Sequence, residues 1–142
     1  MKLAFFSFLA SYGFAILFNV PKDKLIAAGF CGSIGGLGYG LSLDIGISTV
    51  TSLFIGSLML SITAELLARK LKTPSTIFSA CALIPLVPGG GMYFTMLNIV
   101  NNNFEQAIST GINTIAQACA IMIGCFLVSS IFRSFKKVTS KG

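Results

Sequence analysis

The chain alternates between long apolar runs and short polar breaks. Five runs stand out, at 3–20, 25–43, 45–68, 77–100 and 107–132. About twenty apolar residues wound as a helix cross roughly 30 Å of hydrocarbon, so each run predicts a membrane-spanning α-helix. Four of the runs carry no charge, and the third carries only Glu65, four residues before Arg69. That spacing predicts a Glu65–Arg69 pair at the membrane edge. The expected fold is an all-α integral membrane protein in which residues 1–142 form a single transmembrane domain of about five helices. Loops this short place neighbouring spans antiparallel.

The fourth run departs from the pattern. Pro85, Pro88, Gly89, Gly90 and Gly91 fall within seven residues, and such a cluster hardly stays helical. Both prolines lack an amide hydrogen, so the carbonyls of Cys81 and Ile84 are expected to lose their helical donors. The glycines are expected to supply backbone dihedrals that other residues resist. The break sits near the middle of the run and is therefore expected near the bilayer midplane. Irregular backbone persists at that depth where it is buried in protein or lines a polar cavity. Broken helices in transporters use the exposed amides of one half-helix and the carbonyls of the other as ligands. Pro85, Pro88, Gly89, Gly90, Gly91 and the following Tyr93 are thus candidates for a substrate path; a kink kept for packing is the competing reading. The fifth run places Thr110, Asn113, Thr114 and Gln117 on one face. Asn113 and Gln117 are candidates for a polar wall facing the break, and interhelical hydrogen bonding is their other reading.

Gly32, Gly36 and Gly40 recur every fourth residue in the second run, after Ala28, and Ser7, Ser11 and Ala15 form a weaker stripe in the first. Small residues at this spacing let helix backbones approach in lipid, so helix packing is expected there. A surface that glides during transport is the alternative.

Composition agrees with a lipid-facing surface. Hydrophobic residues make up 54% of the chain and charged residues 10%, against about a quarter charged in soluble domains. The net charge of +6 does not point to nucleic acid, because the basic residues cluster between apolar runs rather than along one groove. With the N-terminus outside, nine basic residues (Lys22, Lys24, Arg69, Lys70, Lys72, Arg133, Lys136, Lys137, Lys141) fall inside and only Lys2 outside. This asymmetry predicts a cytoplasmic C-terminus. Were the fourth run a re-entrant loop, the count would become five against five. The first run is too long for a signal-peptide core and lacks a small-residue cleavage site, so it reads as a retained span. Cys31, Cys81, Cys119 and Cys125 form no C-x-x-C pair, and the chain has no histidine. No metal, cofactor or catalytic residue is expected.

Three blocks carry a family resemblance: Gly13-Phe14-Ala15-Ile16-Leu17-Phe18-Asn19-Val20-Pro21, Gly32-Ser33-Ile34-Gly35, and Ile84-Pro85-Leu86-Val87-Pro88-Gly89-Gly90-Gly91-Met92-Tyr93 with Thr95-Met96. Together they resemble the threonine/serine exporter family, and in particular its short YjjB-like subunit, equivalent to the C-terminal half of single-chain members. The likeness spans nearly the whole chain, and the Pro-x-x-Pro-Gly-x-x-x-Tyr block is its most specific part. It implies a bacterial inner-membrane exporter of small carboxylate metabolites: threonine or serine, or a dicarboxylate such as succinate in two-chain members. It also implies a larger YjjP-like membrane subunit as partner. It supplies no residue-level site. A structural or assembly subunit without a substrate path of its own is the alternative.

Overall fold

The computed structural model describes residues 2–139, and the side chains of 3–134. The C-terminal end at 140–142, expected in the cytoplasm, lies outside the described residues. The elements are α1 (Lys2–Leu17), a 3-10 turn (Lys22–Lys24), α2 (Leu25–Asp44), α3 (Thr49–Lys70), α4 (Ser75–Leu83), a second 3-10 turn (Ile84–Leu86), α5 (Gly89–Val100) and α6 (Phe104–Thr139). Among the described residues the protein is all-helical.

Several helices stop on one residue of left-handed backbone: Asn19 at φ 56° after α1, Gly46 at 86° after α2, Lys72 at 50° after α3 and Asn102 at 59° after α5. The chain then folds back onto the helix end. Val20 N–H donates to the Ala15 carbonyl at 3.0 Å, Ile47 N–H to Ser42 at 3.1 Å, Thr73 N–H to Ala68 at 2.9 Å, and Asn103 N–H to Asn98 at 2.8 Å. These bonds satisfy last-turn carbonyls that would otherwise be orphaned. Ser48 caps the start of α3 by accepting from Thr51 N–H. Residues 18–20 and 45–48, expected inside the first and third spans, are therefore turns.

Among the described residues three segments are long and apolar enough to cross a membrane unaided, Lys22–Asp44, Thr49–Lys70 and Phe104–Ser134. The pair Ser75–Leu86 and Gly89–Val100 qualifies only together and is bent by 48°. The 16 residues of α1 are about 24 Å long at 1.5 Å per residue, short of a full hydrocarbon core. Length and composition thus support an all-helical membrane protein with three spans, or four if the bent pair is one span.

Glycines mark the helix contacts. A Cβ built on Gly32 would collide with Ser11 of α1, one on Gly36 with Ser7, and one on Gly40 would lie 3.3 Å from Leu3 Cδ1. The stripe of α2 therefore packs antiparallel against the serines of α1. On its other side α2 meets α3: Gly35 faces Leu60, and Cys31 Sγ donates to the Leu60 carbonyl at 3.2 Å. Gly124 of α6 faces Ser57 of α3, and Arg69 of α3 bonds the Phe132 carbonyl of α6, so α3 and α6 run in the same direction. α4 fills the crook of α1, α2 and α3, with Phe78 fully buried. With no apolar solvent to be expelled from, helices in lipid associate through close backbone approach, which small residues permit.

Chain direction alternates through this arrangement, so the turns gather at two ends. Residues 18–21 border Thr76, Ile77 and Ala80, close to the 71–74 turn. One end therefore collects Lys22, Lys24, Arg69, Lys70, Lys72 and Arg133 with Asp23 and Glu65, and the other carries Asp44 and Glu105. The expected Glu65–Arg69 pair is replaced at the basic end. Glu65 Oε1 accepts from Ser75 Oγ at 2.9 Å, while Arg69 donates to the Phe132 carbonyl at 3.0 Å. Each side chain reaches a different neighbouring helix rather than its own.

Candidate functional site

Pro85 and Pro88 shape the passage from α4 to α5. The α-helix ends at Leu83 and tightens into the Ile84–Leu86 turn. Val87 is then extended (φ −60°, ψ 131°), and Pro88 (φ −76°, ψ 58°) precedes the first residue of α5. Val87 N–H is shared between the carbonyls of Leu83 and Ile84, at 3.2 Å each. The Ile84 carbonyl, expected to be free, is thus occupied, because the tighter turn brings Val87 within reach.

The amides need a similar correction. Gly89 N–H turns back to the Val87 carbonyl at 2.7 Å, and Met92 N–H bonds the Pro88 carbonyl at 3.2 Å. By their position in the first turn, Gly90 and Gly91 are the amides left without an intrahelical acceptor. No side chain caps this helix start. It offers two unpaired N–H groups and the positive end of a 12-residue helix.

The glycines do not act through unusual dihedrals. Among the described glycines only Gly46 has a left-handed φ, so Gly89, Gly90 and Gly91 sit in ordinary helical backbone. Their contribution is space. A Cβ on Gly89 or Gly90 would meet nothing within 4 Å, whereas one on Gly91 would collide with Thr114 of α6. One face of the helix start is open and the other is closed by packing.

Leu86 fixes the turn in place. It is buried, and its Cδ2 lies 3.1 Å from where a Cβ on Gly56 would stand. Gly56 lies inside α3, well away from either helix end, so the interruption sits within the depth of the bundle. Tyr93 is exposed on α5 and packs edge-to-face on Phe94, with ring centroids 5.4 Å apart.

The four polar residues of α6 separate. Thr114 is buried against Gly91, Asn113 is exposed, and Gln117 is half-buried one turn beyond Thr114. Thr110 and Thr114 donate to the carbonyls of Gln106 and Thr110 in their own helix, at 2.8 and 2.7 Å, so neither bonds across to a neighbour. The structure therefore brings Gly91 against Thr114, leaves Gly89 and Gly90 open, and puts Asn113 and Tyr93 on outward faces. Sequence reasoning missed the reciprocal contact, in which Gly111 of α6 faces Thr95 of α5. Its signal was a Gly and a Thr four residues apart on α5 and three apart on α6. Among the described residues no three His, Cys, Asp or Glu side chains gather to hold a metal ion.

A family model described as Threonine/Serine exporter, ThrE matches residues 3–131. An uncharacterized protein of Haemophilus influenzae is 28% identical over 141 residues, covering 94% of this chain and 48% of that protein. The chain thus spans about half the length of this curated relative. No solved structure matches it.

Proposed function

The chain belongs to the threonine/serine exporter family, and from that we propose that it is a multi-pass subunit exporting small carboxylate metabolites past its α4–α5 interruption. The observation that carries the reading is the open start of α5. Gly89 and Gly90 face empty space, and the amides of Gly90 and Gly91 lack intrahelical acceptors. Donors of this kind hold a carboxylate without a charged side chain. Irregular backbone inside a bundle persists where it lines a water-filled path.

Threonine, serine and a dicarboxylate such as succinate are the substrates the reading names. A larger membrane subunit supplies the remainder of the path, in keeping with a relative about twice as long. The occupied Ile84 carbonyl narrows the chemistry. An ammonium group has fewer free carbonyls to meet than the two prolines alone suggest, so the carboxylate is the group this chain grips. The chain itself does no covalent chemistry. We place it in a bacterial inner membrane with five embedded segments, α1 among them, and the basic end in the cytoplasm.

The test is efflux of labelled threonine, serine and succinate from cells producing this chain alone, the larger subunit alone, or both. Faster efflux of at least one substrate only when both are present is expected. Unchanged efflux of all three with both present contradicts the reading.

A further inference from the structure

The basic end of the bundle holds a cavity of about 570 Å³ between α3, the turn at 71–74, the start of α4 and α6. Its wall carries Arg69, Lys72 and Arg133 against one carboxylate, Glu65. That carboxylate is held by the Ser75 hydroxyl at 2.9 Å. Three cations facing one engaged anion leave the cavity positive.

Arg69 is fixed in position before any ligand arrives. Its guanidinium donates to the Phe132 carbonyl at 3.0 Å and lies over the Phe132 ring, 4.7 Å from the centroid. A guanidinium has five N–H donors, and this bond uses one. Arg133, the next residue of α6, also lines a second groove of about 300 Å³ with Cys125, Phe126, Ser129 and Ser130. That groove follows α6 for about 12 Å towards its apolar middle, at 1.5 Å per residue. Its Phe126 is exposed.

Cations at the helix ends, beside a groove that runs along α6 past Ser130, Ser129 and exposed Phe126, match one ligand chemistry, a phosphate ester carrying a hydrocarbon chain. We propose that this cavity binds the phosphate of an anionic phospholipid through Arg69, Lys72 and Arg133, with an acyl chain along the α6 groove. Arginine suits phosphate because its planar fork bonds two oxygens at once. Basic pockets between transmembrane helices recognise acidic headgroups in this way. The volume lies within the roughly 300–1,000 Å³ of small-molecule sites. The site is separate from the α4–α5 interruption and does not depend on its role.

The test is thermal unfolding of the full chain, purified in a neutral detergent, with added dioleoylphosphatidylglycerol, dioleoylphosphatidylcholine or inorganic phosphate. The phosphatidylglycerol should raise Tm in a concentration-dependent way, and the other two should not. Arg133→Gln and Lys72→Gln should each lose most of that shift, and Lys24→Gln, a basic residue outside the cavity, should keep it. Lys72 lies on an exposed turn, so its variant keeps the test open should Arg133→Gln fail to fold. Native mass spectrometry should show retained phosphatidylglycerol in the unaltered chain and less in both cavity variants. Equal shifts with both lipids, or equal losses in Lys24→Gln and the cavity variants, would overturn the proposal. A full shift with inorganic phosphate alone would overturn it too, by assigning the cavity to a soluble anion.

Discussion

Gly91 of α5 and Thr114 of α6 are packed so closely that a Cβ on the glycine would collide with the threonine hydroxyl. One turn along, the relation is reversed: Thr95 of α5 lies 3.3 Å from where a Cβ on Gly111 of α6 would stand. The two contacts hold α5, which buries none of its own residues, against α6. They also orient the helix start, closing Gly91 and leaving Gly89 and Gly90 open.

Adjacent glycines should therefore respond differently to the same change. Gly91→Val forces a branched side chain into Thr114 and should cost about 1–3 kcal/mol, the usual range for overpacking. Gly90→Ala adds a methyl group to empty space in helical backbone and should leave stability unchanged or slightly raised. Thermal unfolding in detergent separates the two. Equal destabilisation would show that α5 does not pack on α6 in this register.

The α1–α2 seam offers a test with a built-in rescue. Gly36 meets Ser7, so Gly36→Ala should destabilise the chain by about 1–3 kcal/mol, and Gly36→Leu should prevent normal folding. Adding Ser7→Gly to Gly36→Ala removes the colliding atoms and should restore part of the loss. The coupling is read from a double-mutant cycle of unfolding midpoints. Additive effects would mean the two residues are not in contact.

Orientation is tested by cysteine labelling. Single cysteines in the 71–74 turn and at the C-terminus should react only when the cytoplasmic side is accessible, after exposed Cys119 and half-buried Cys125 have been replaced. Labelling of the two sites from opposite sides would contradict the five-segment arrangement and make α4–α5 a re-entrant hairpin.

How far the sequence revealed all this depended on whether a feature was local. Pro85 and Pro88 remove amides wherever they stand, so an interruption between 83 and 89 can be read from composition. The four-residue rhythm of Gly32, Gly36 and Gly40 likewise predicts a close helix contact, though not that Ser7 and Ser11 provide it. The ends of the helices were less visible. Left-handed backbone at Asn19, Lys72 and Asn102 comes from the chain folding back to bond the preceding helix, a tertiary outcome that a lysine does not announce. α-Helical spacing predicts a free Ile84 carbonyl, whereas the tighter turn gives it the Val87 N–H. Thr114 rather than Asn113 meets the break because side chains 100° apart on α6 face different neighbours. The basic cavity joins residues near 69 to residues near 133, and no local pattern links them.

Whether the open start of α5 forms part of the substrate path is decided by Gly90→Val. The structure places no neighbour within 4 Å of a Cβ at this position, so valine should block the opening without disturbing the fold. With the larger subunit present and membrane abundance matched by blot, Gly90→Val should abolish efflux of labelled threonine, serine and succinate, whichever of them the complex exports. Gln117→Leu should reduce efflux less, by removing one half-buried polar group near the opening. Normal export of those substrates by Gly90→Val at normal abundance would contradict the account and leave the chain a scaffold for its partner.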